Sequence, residues 1–330
     1  MGRLLTLTTC QWTDLEMDTL CKKVKEFGYD GVELACWGNH LDVRRAAEDD
    51  SYVEEIKQTL AKYDLKCEAL AAHIIGQCVG DYNDPRLNNF APSALADQPD
   101  AIRDWAIETM KYTAIAAKKL GCYVVTGFVG SPIWKYLYSF PQTTEAMVEA
   151  GFHEIRELWL PILDVFAEQG IKFALEVHPG EIAFDYYSTQ RLLKVFADRN
   201  EFGLNFDPSH LLWQGVTPHI FLEDFIDKVY HVHMKDVAVT LNGKSGLLGS
   251  HIDFGDLRRG WNFRSLGHGE VDFENIIRVL NAYNYTGPLS VEWEDSGMER
   301  EAGAPEAAAF VRKADFAASD FAFDSAIAND

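Results

Sequence analysis

Ligand-type side chains gather at the ends of four short apolar runs in the second half of the chain. Phe-Ala-Leu-Glu-Val-His ends in Glu176 and His178, and Gly-Leu-Asn-Phe-Asp-Pro-Ser-His ends in Asp207 with His210 three residues on. Val-Tyr-His-Val-His-Met-Lys-Asp carries His231, His233, Lys235 and Asp236, and Leu-Ser-Val-Glu-Trp-Glu-Asp carries Glu292, Glu294 and Asp295. Each run reads as a β-strand, in which residues two apart share a face. Glu176 then stands with His178, His231 with His233 and Lys235, and Glu292 with Glu294. Carboxylates that converge in apolar surroundings do not all stay ionised without a compensating positive charge. A divalent cation is the economical answer. The expected ligands are Glu176, Asp207, His233 and Glu292, with Glu294 as the alternative on the last run. Three oxygens and one nitrogen suit Mn²⁺, then Mg²⁺ or Co²⁺, with Zn²⁺ less favoured. A lone strand-end Glu is more often solvated or capping; a set of four on consecutive strands is not.

Positioning such a set requires strands whose ends converge. Eight short β-rich runs, at 4–9, 31–35, 66–73, 123–128, 172–177, 203–207, 229–235 and 289–293, alternate with longer amphipathic stretches near 15–27, 51–63, 101–120, 144–169, 189–197, 220–226 and 273–283. The pattern predicts one α/β domain over 1–330, a single (β/α)8 barrel, with 305–330 forming a closing helix to about residue 321 and a frayed tail. An open doubly wound sheet would normally carry a glycine-rich first turn, and no G-x-G-x-x-G or G-x-x-x-x-G-K-[ST] follows any of the strands. Two connections are longer than a barrel needs, 74–99 after strand three and 237–271 after strand seven. Both leave strand C-terminal ends, where barrel active sites sit, and are expected to wall or cover the pocket. The second holds His251, Arg258, Arg259, Trp261, Phe263 and His268, a mixture suited to hydroxyl-rich ligands; Trp261 and His268 are the expected substrate contacts. His73 at the end of strand three and Glu33 on strand two also point toward the mouth. Each could equally be a satisfied core polar group. Lys235 could hydrogen-bond a substrate carbonyl or pair with Asp236.

Composition narrows the classes further. The 330 residues include 30 Lys and Arg against 51 Asp and Glu, a net charge of −21, with no dense basic face. Polyanion binding needs basic residues that displace counterions, so a nucleic-acid partner is disfavoured. Apolar residues make up 47% and charged residues 25%, proportions that support a large buried core. The six cysteines (Cys10, Cys21, Cys36, Cys67, Cys78, Cys122) form no C-x-x-C pair and read as reduced structural thiols. The first ten residues lack the apolar core of a leader, and no stretch approaches the roughly 18 apolar residues of a membrane span. A cytoplasmic protein without a membrane partner is expected.

The sequence resembles the xylose-isomerase-like barrels, a group that includes sugar isomerases and epimerases, inosose dehydratases and the endonuclease IV proteins. The resemblance spans nearly the whole chain. It rests on Phe-Gly-Tyr-Asp-Gly-Val-Glu-Leu at 27–34, Asp-Pro-Ser-His at 207–210, His-Val-His-Met-Lys-Asp at 231–236 and Gly-Pro-Leu-Ser-Val-Glu at 287–292. It implies a metal site built from Glu176, Asp207, His233 and Glu292, with Glu292 preferred to Glu294 because it falls five residues after Gly287. It also implies a mechanism. In the epimerases the metal holds two adjacent oxygens of a keto-sugar while two glutamates, here Glu176 and Glu292, remove and return a proton through an enediolate. His210 would hydrogen-bond a substrate oxygen or brace Asp207. The ketose 3-epimerases carry a further substrate-binding Glu and Arg where this chain has Ile182 and Val239. His178, Glu181, Lys235, His251 and His268 would have to supply those contacts.

The resemblance supports a second outcome of the same first step, expulsion of a leaving group by a dehydratase or lyase. Inososes and 3-oxo-glycosides are the substrates it suggests, the latter sometimes with a small accessory subunit. Trp134, Tyr136 and Tyr138, with Trp261 and Phe263, would suit a bulkier glycoside. An endonuclease IV activity would need a three-zinc cluster and a basic face, which the charge opposes. A barrel that only binds carbohydrate would have no use for two opposed carboxylates at one metal. Nothing resembles a phosphate cradle, so a neutral carbohydrate or polyol is expected, acted on by a homo-oligomer.

Overall fold

The computed structural model describes residues 2–82 and 84–319. Strands β1 (Leu5–Thr8), β2 (Gly31–Ala35), β3 (Lys66–Ala71), β4 (Val124–Gly127), β5 (Lys172–Glu176), β6 (Phe202–Phe206) and β7 (Val229–Met234) are followed by an excursion, β8 (Asp236–Val239) and β9 (Trp261–Arg264), and then by β10 (Leu289–Val291). The first seven and β10 pair in chain order, all parallel, and β10 closes on β1. All eight runs expected from the sequence are barrel strands. Alternation assigns their faces. Val32, Leu34, Leu70, Val125, Phe173, Leu175, Val232 and Val291 are buried apolar residues, while the strands also bury Thr8, Glu33, Thr126, Glu176, Asn205, His231, His233 and Ser290. A strand covered on both faces shows such continuous burial.

The surrounding helices follow local rules. Pro99–Leu120 carries Lys118 and Lys119 in its last turn and stops at Gly121, whose φ of 89° is the left-handed conformation that glycine adopts freely. Glu145–Gln169 starts at Thr144, whose side chain accepts from the Met147 amide, and its buried Trp159 ring lies 4.5 Å from Phe173 of β5. Burying such a face at about 25 cal/mol per Å² drives the assembly more than helix propensity does.

Both long connections carry secondary structure of their own. The segment after β3 begins with a helix, His73–Gly80, which can lie directly on the chain after β4 because Gly76 has no side chain; a Cβ there would stand 2.0 Å from the Phe128 carbonyl oxygen. The excursion after β7 is an antiparallel hairpin in which Asp236 pairs with Arg264 and Val239 with Trp261. The Asp236 carboxylate pins its return, accepting from the amides of Val237, Gly267, Gly269 and Val271 at 2.9–3.1 Å. The closing helix is Arg300–Ala314, so it starts before Pro305 and ends before residue 321. The expected tail beyond 319 lies outside the described residues. Among those described, no helix is long and apolar enough to cross a membrane.

Candidate active site

The C-terminal ends of β5, β6, β7 and β10 meet at the floor of a cavity of about 550 Å³. Ligand atoms of Glu176, Asp207, His233 and Glu292 all lie within 4.8 Å of one another, so the expected set is assembled and could hold a metal ion. The parallel register does this, since Glu176 pairs with Asn205, Asn205 with His231, and His233 with Ser290 across neighbouring strands. His233 is wholly buried. Its Nε2 faces Glu33 Oε2 at 3.0 Å, which leaves Nδ1 between Glu176 (3.0 Å) and Glu292 (3.1 Å).

Each carboxylate is held differently. Glu176 faces His73 and Asn205 through Oε2, at 3.1 and 2.9 Å, and His210 through Oε1 at 3.2 Å. Burial works against its charge, but the surrounding His210, His233 and His73 outweigh that and hold the carboxyl well below its ordinary range. Glu292 shows the same balance. Burial opposes ionisation, Lys235 and His233 favour it, and the result is lowered to about 2. Asp207 differs: burial dominates His210 and Lys235 and raises its carboxyl to about 6. Its Oδ1 accepts from the Ser209 amide and hydroxyl, both at 2.7 Å, while Oδ2 is buried without a hydrogen-bond partner. A buried carboxylate oxygen with an unused lone pair, next to two ionised carboxylates and an imidazole nitrogen, fits a divalent cation.

Lys235 is the other positive charge. Its Nζ lies 3.2 Å from Glu292, 3.1 Å from Glu294 and 4.2 Å from the centre of the Phe263 ring. Asp236 turns the opposite way, into the hairpin amides, so the alternative pairing of Lys235 with its neighbour does not form. Burial lowers the lysine's affinity for its proton, but Glu292 and Glu294 more than restore it, and the ammonium is held well above its ordinary range.

His73, His178, His210 and Lys235 all line the cavity. The His178 and His210 rings are 4.1 Å apart, and burial, then the neighbouring His210 charge, keeps His178 well below its ordinary value and therefore neutral. Two expected contacts lie elsewhere. His268 is outside, with Nε2 3.0 Å from Glu306 on the closing helix. Trp261 is buried, stacked on Trp213 at 4.3 Å with 8° between the ring planes, and its indole N–H donates to the Leu247 carbonyl. The adjacent Phe263 and Phe254 face the cavity instead. His251 is exposed, and Glu181 is fully buried beneath the loop after β4, accepting from the Val129 and Gly130 amides at 2.7 and 2.8 Å.

Glu33 resolves as a core group. It lies under His233, and its Oε2 accepts from Thr8 (2.9 Å), Ser290 (2.6 Å) and His231 (2.9 Å), while Oε1 accepts from Thr126. The cavity walls also include Gln11, Trp37, Phe128 and Trp293, which sequence reading did not select. Their signal was position, immediately after β1, β2, β4 and β10.

The model of the xylose isomerase-like TIM barrel family matches residues 21–314. The chain belongs to that family. A Bacillus subtilis (strain 168) protein named YfiH is 25% identical over 313 residues, covering 88% of this chain and 92% of that protein. The inosose dehydratase of Clostridium botulinum (strain Alaska E43) is 27% identical over 194 residues, which span 59% of this chain and 61% of the dehydratase. Among solved structures, the 3-keto-D-glucoside 4-epimerase YcjR of E. coli superposes with a TM-score of 0.65 over 94% of this chain and 99% of that one, at 16% identity. That likeness is one of fold. Named homologues and structural neighbours include a dehydratase and an epimerase.

Proposed function

We propose that the protein is a divalent-metal-dependent isomerase or epimerase of a neutral keto-sugar or related polyol, with Mn²⁺ as the expected ion. One observation carries the reading: Glu176 and Glu292, their carboxyls held below the ordinary range, flank His233 Nδ1 at the floor of a closed barrel, beside Asp207 Oδ2, which makes no hydrogen bond and meets His210 Nε2 at 3.4 Å and Lys235 Nζ at 3.9 Å. Glu176, Asp207, His233 and Glu292 would hold the cation. When bound it withdraws charge from substrate oxygens and so eases loss of the neighbouring C–H proton. Glu292, ionised throughout the neutral range and in contact with the cavity, takes that proton. Glu176, its orientation fixed by His73, His210 and Asn205, takes up a proton from solvent and delivers it from the other side, while Glu292 releases the one it removed to solvent. A positioned carboxylate contributes about 10²–10⁴-fold to such a transfer. Neutral His178, together with His210, orients hydroxyl groups, and Phe263, Phe254 and Trp37 give the sugar ring apolar faces and limit water. The six thiols are free, which goes with a reducing, cytoplasmic location.

A dehydratase or lyase is the second reading, favoured by Lys235. Its ammonium, held by Glu292 and Glu294, is an acid placed to protonate a departing oxygen, and several sequence relatives are inosose dehydratases. Incubation in deuterated water with Mn²⁺ separates the outcomes. Deuterium entering a keto-sugar beside its carbonyl, with an epimer as product, supports the first reading. Release of water or an aglycone from an inosose or 3-oxo-glycoside supports the second, and no exchange with any of these substrates overturns both.

A further inference from the structure

All six cysteines are free, and two of them bring their sulfurs together. Cys67 lies at the start of β3, and Cys122 lies between the helix Pro99–Leu120 and β4. These strands pair in parallel with Ala69 opposite Val124, so Cys67 and Cys122, each two residues earlier, share a face and stand side by side. Neighbouring strands run about 4.8 Å apart, inside the Cα separation of about 4.4–6.8 Å that a disulfide spans. The side chains are already turned toward each other. Cys122 Sγ is 3.4 Å from Cys67 Sγ and 3.3 Å from the Cys67 carbonyl oxygen. A sulfur–sulfur bond of about 2.05 Å then needs a closure of about 1.4 Å, a distance within reach of side-chain rotation.

The two thiols are not equivalent. Cys67 is half-buried beside the exposed Lys66, whereas Cys122 is 1% exposed. The hydrogen bond to Cys67, and then burial, hold the Cys122 thiol well above its ordinary range. Cys122 is thus the poorer first nucleophile, and Cys67 is the sulfur that meets a reagent from solvent. Other thiols of the chain are placed singly. Cys78 donates to the Ile74 carbonyl, and Cys10 lines the central cavity.

We infer that Cys67 and Cys122 form a reversible disulfide site, oxidised by hydrogen peroxide or another hydroperoxide, that straps β3 to β4. The Cys67 thiolate attacks one peroxide oxygen and the O–O bond breaks, which leaves a sulfenic acid on Cys67 and releases water. The Cys122 sulfur then attacks the Cys67 sulfur, the S–O bond breaks, and the hydroxyl leaves with the Cys122 proton as a second water. The two thiols lose two electrons, and one peroxide accepts them. Added thiols reverse the bond by exchange. Closing the chain from 67 to 122 restricts the unfolded state and so stabilises the fold. Cys67 stands at the opposite end of β3 from His73, which lines the cavity, so the strap is independent of the reaction proposed above.

Reduced full-length protein treated with one equivalent of hydrogen peroxide, then denatured and titrated, should fall from six thiols to four. Its mass should drop by two hydrogens, non-reducing peptide maps should join the Cys67 peptide to the Cys122 peptide, and dithiothreitol should reverse both changes. Cys67→Ser and Cys122→Ser should each form no such link, and dimedone should trap a sulfenic acid on Cys67 in Cys122→Ser. The oxidised wild type should melt at a higher temperature than the reduced protein. No link in the wild type, a link between any other pair of cysteines, or a melting temperature that falls on oxidation would overturn the proposal.

Discussion

The two halves of the barrel are built alike and used differently. Strands β5, β6, β7 and β10 end in the groups that meet at the cavity floor, Glu176, Asp207, His233 with Lys235, and Glu292. Strands β1, β2 and β4 give Thr8, Glu33 and Thr126; both threonines donate to Glu33, Glu33 faces the histidines of β7, and none of the three is part of the cavity lining. In the proposed reaction the second half supplies the reacting groups, and the first holds them still. Glu33 is the link. Its carboxylate is pulled well below the ordinary range despite burial, because His233 and His231 are its neighbours, and it fixes which nitrogen of His233 faces the cluster. A metal-ligating histidine is usually oriented by such a partner on its other nitrogen.

That division can be broken by substitution. The largest effect is expected from Glu176→Gln and Glu292→Gln, each of which should cut deuterium exchange into substrate by about 10²–10⁴-fold, read by mass spectrometry, with the melting temperature nearly kept. Loss of folding instead would show that these groups serve the core. On the supporting side, Glu33→Gln should weaken Mn²⁺ binding by about 10–100-fold in a calorimetric titration, even though Glu33 is not among the expected ligands. Unchanged affinity would remove the distinction between the halves.

A smaller effect concerns pH. Glu181 has a folded-state value near 8 against an ordinary 4.5, so the folded protein keeps a proton that the unfolded chain releases between those values. Stability from this group is whole below about 4.5 and declines as pH rises toward 8, by at most about 1.4 kcal/mol per unit. Melting temperatures of wild type and Glu181→Gln across that range should therefore differ in slope, the wild type falling faster. The smallest effect belongs to the surface. Arg258 pairs with Asp256 at 2.7 Å, both on the excursion between β8 and β9, and Arg258→Ala should leave the midpoint of a denaturant titration unchanged, because a solvated surface pair contributes little.

Legibility in the sequence followed the same division. Glu176, His233 and Glu292 could be placed because a strand fixes side-chain direction with period two, and a barrel brings neighbouring strand ends together. Glu33 sits on an equally legible strand, but whether it meets solvent or His233 depends on depth in the barrel, which periodicity does not encode. The helix His73–Gly80 was hidden because its run, His-Ile-Ile-Gly-Gln-Cys-Val-Gly, is nearly all buried and shows no polar face. The hairpin was hidden for another reason: its partners are separated by a long segment between Val239 and Trp261, and pairing at that distance leaves no local turn signal. His268 and Trp261 are suggested by their place in the long connection after strand seven and by side chains suited to hydroxyl-rich ligands. Direction in space was set by Glu306 and Trp213, which the local sequence does not announce.

The stacked pair of Trp213 and Trp261 has an optical consequence. Two indoles with nearly parallel planes at 4.3 Å share their excited states, so the pair should contribute an exciton band to the circular dichroism that neither ring gives alone. Trp213 caps the short helix Pro208–Leu212 that begins at Asp207, while Trp261 stands in the hairpin that carries Phe263. The wall of the mouth is thereby joined to the segment bearing one of the acids, and any parting of the two would be visible as loss of that band without an added label.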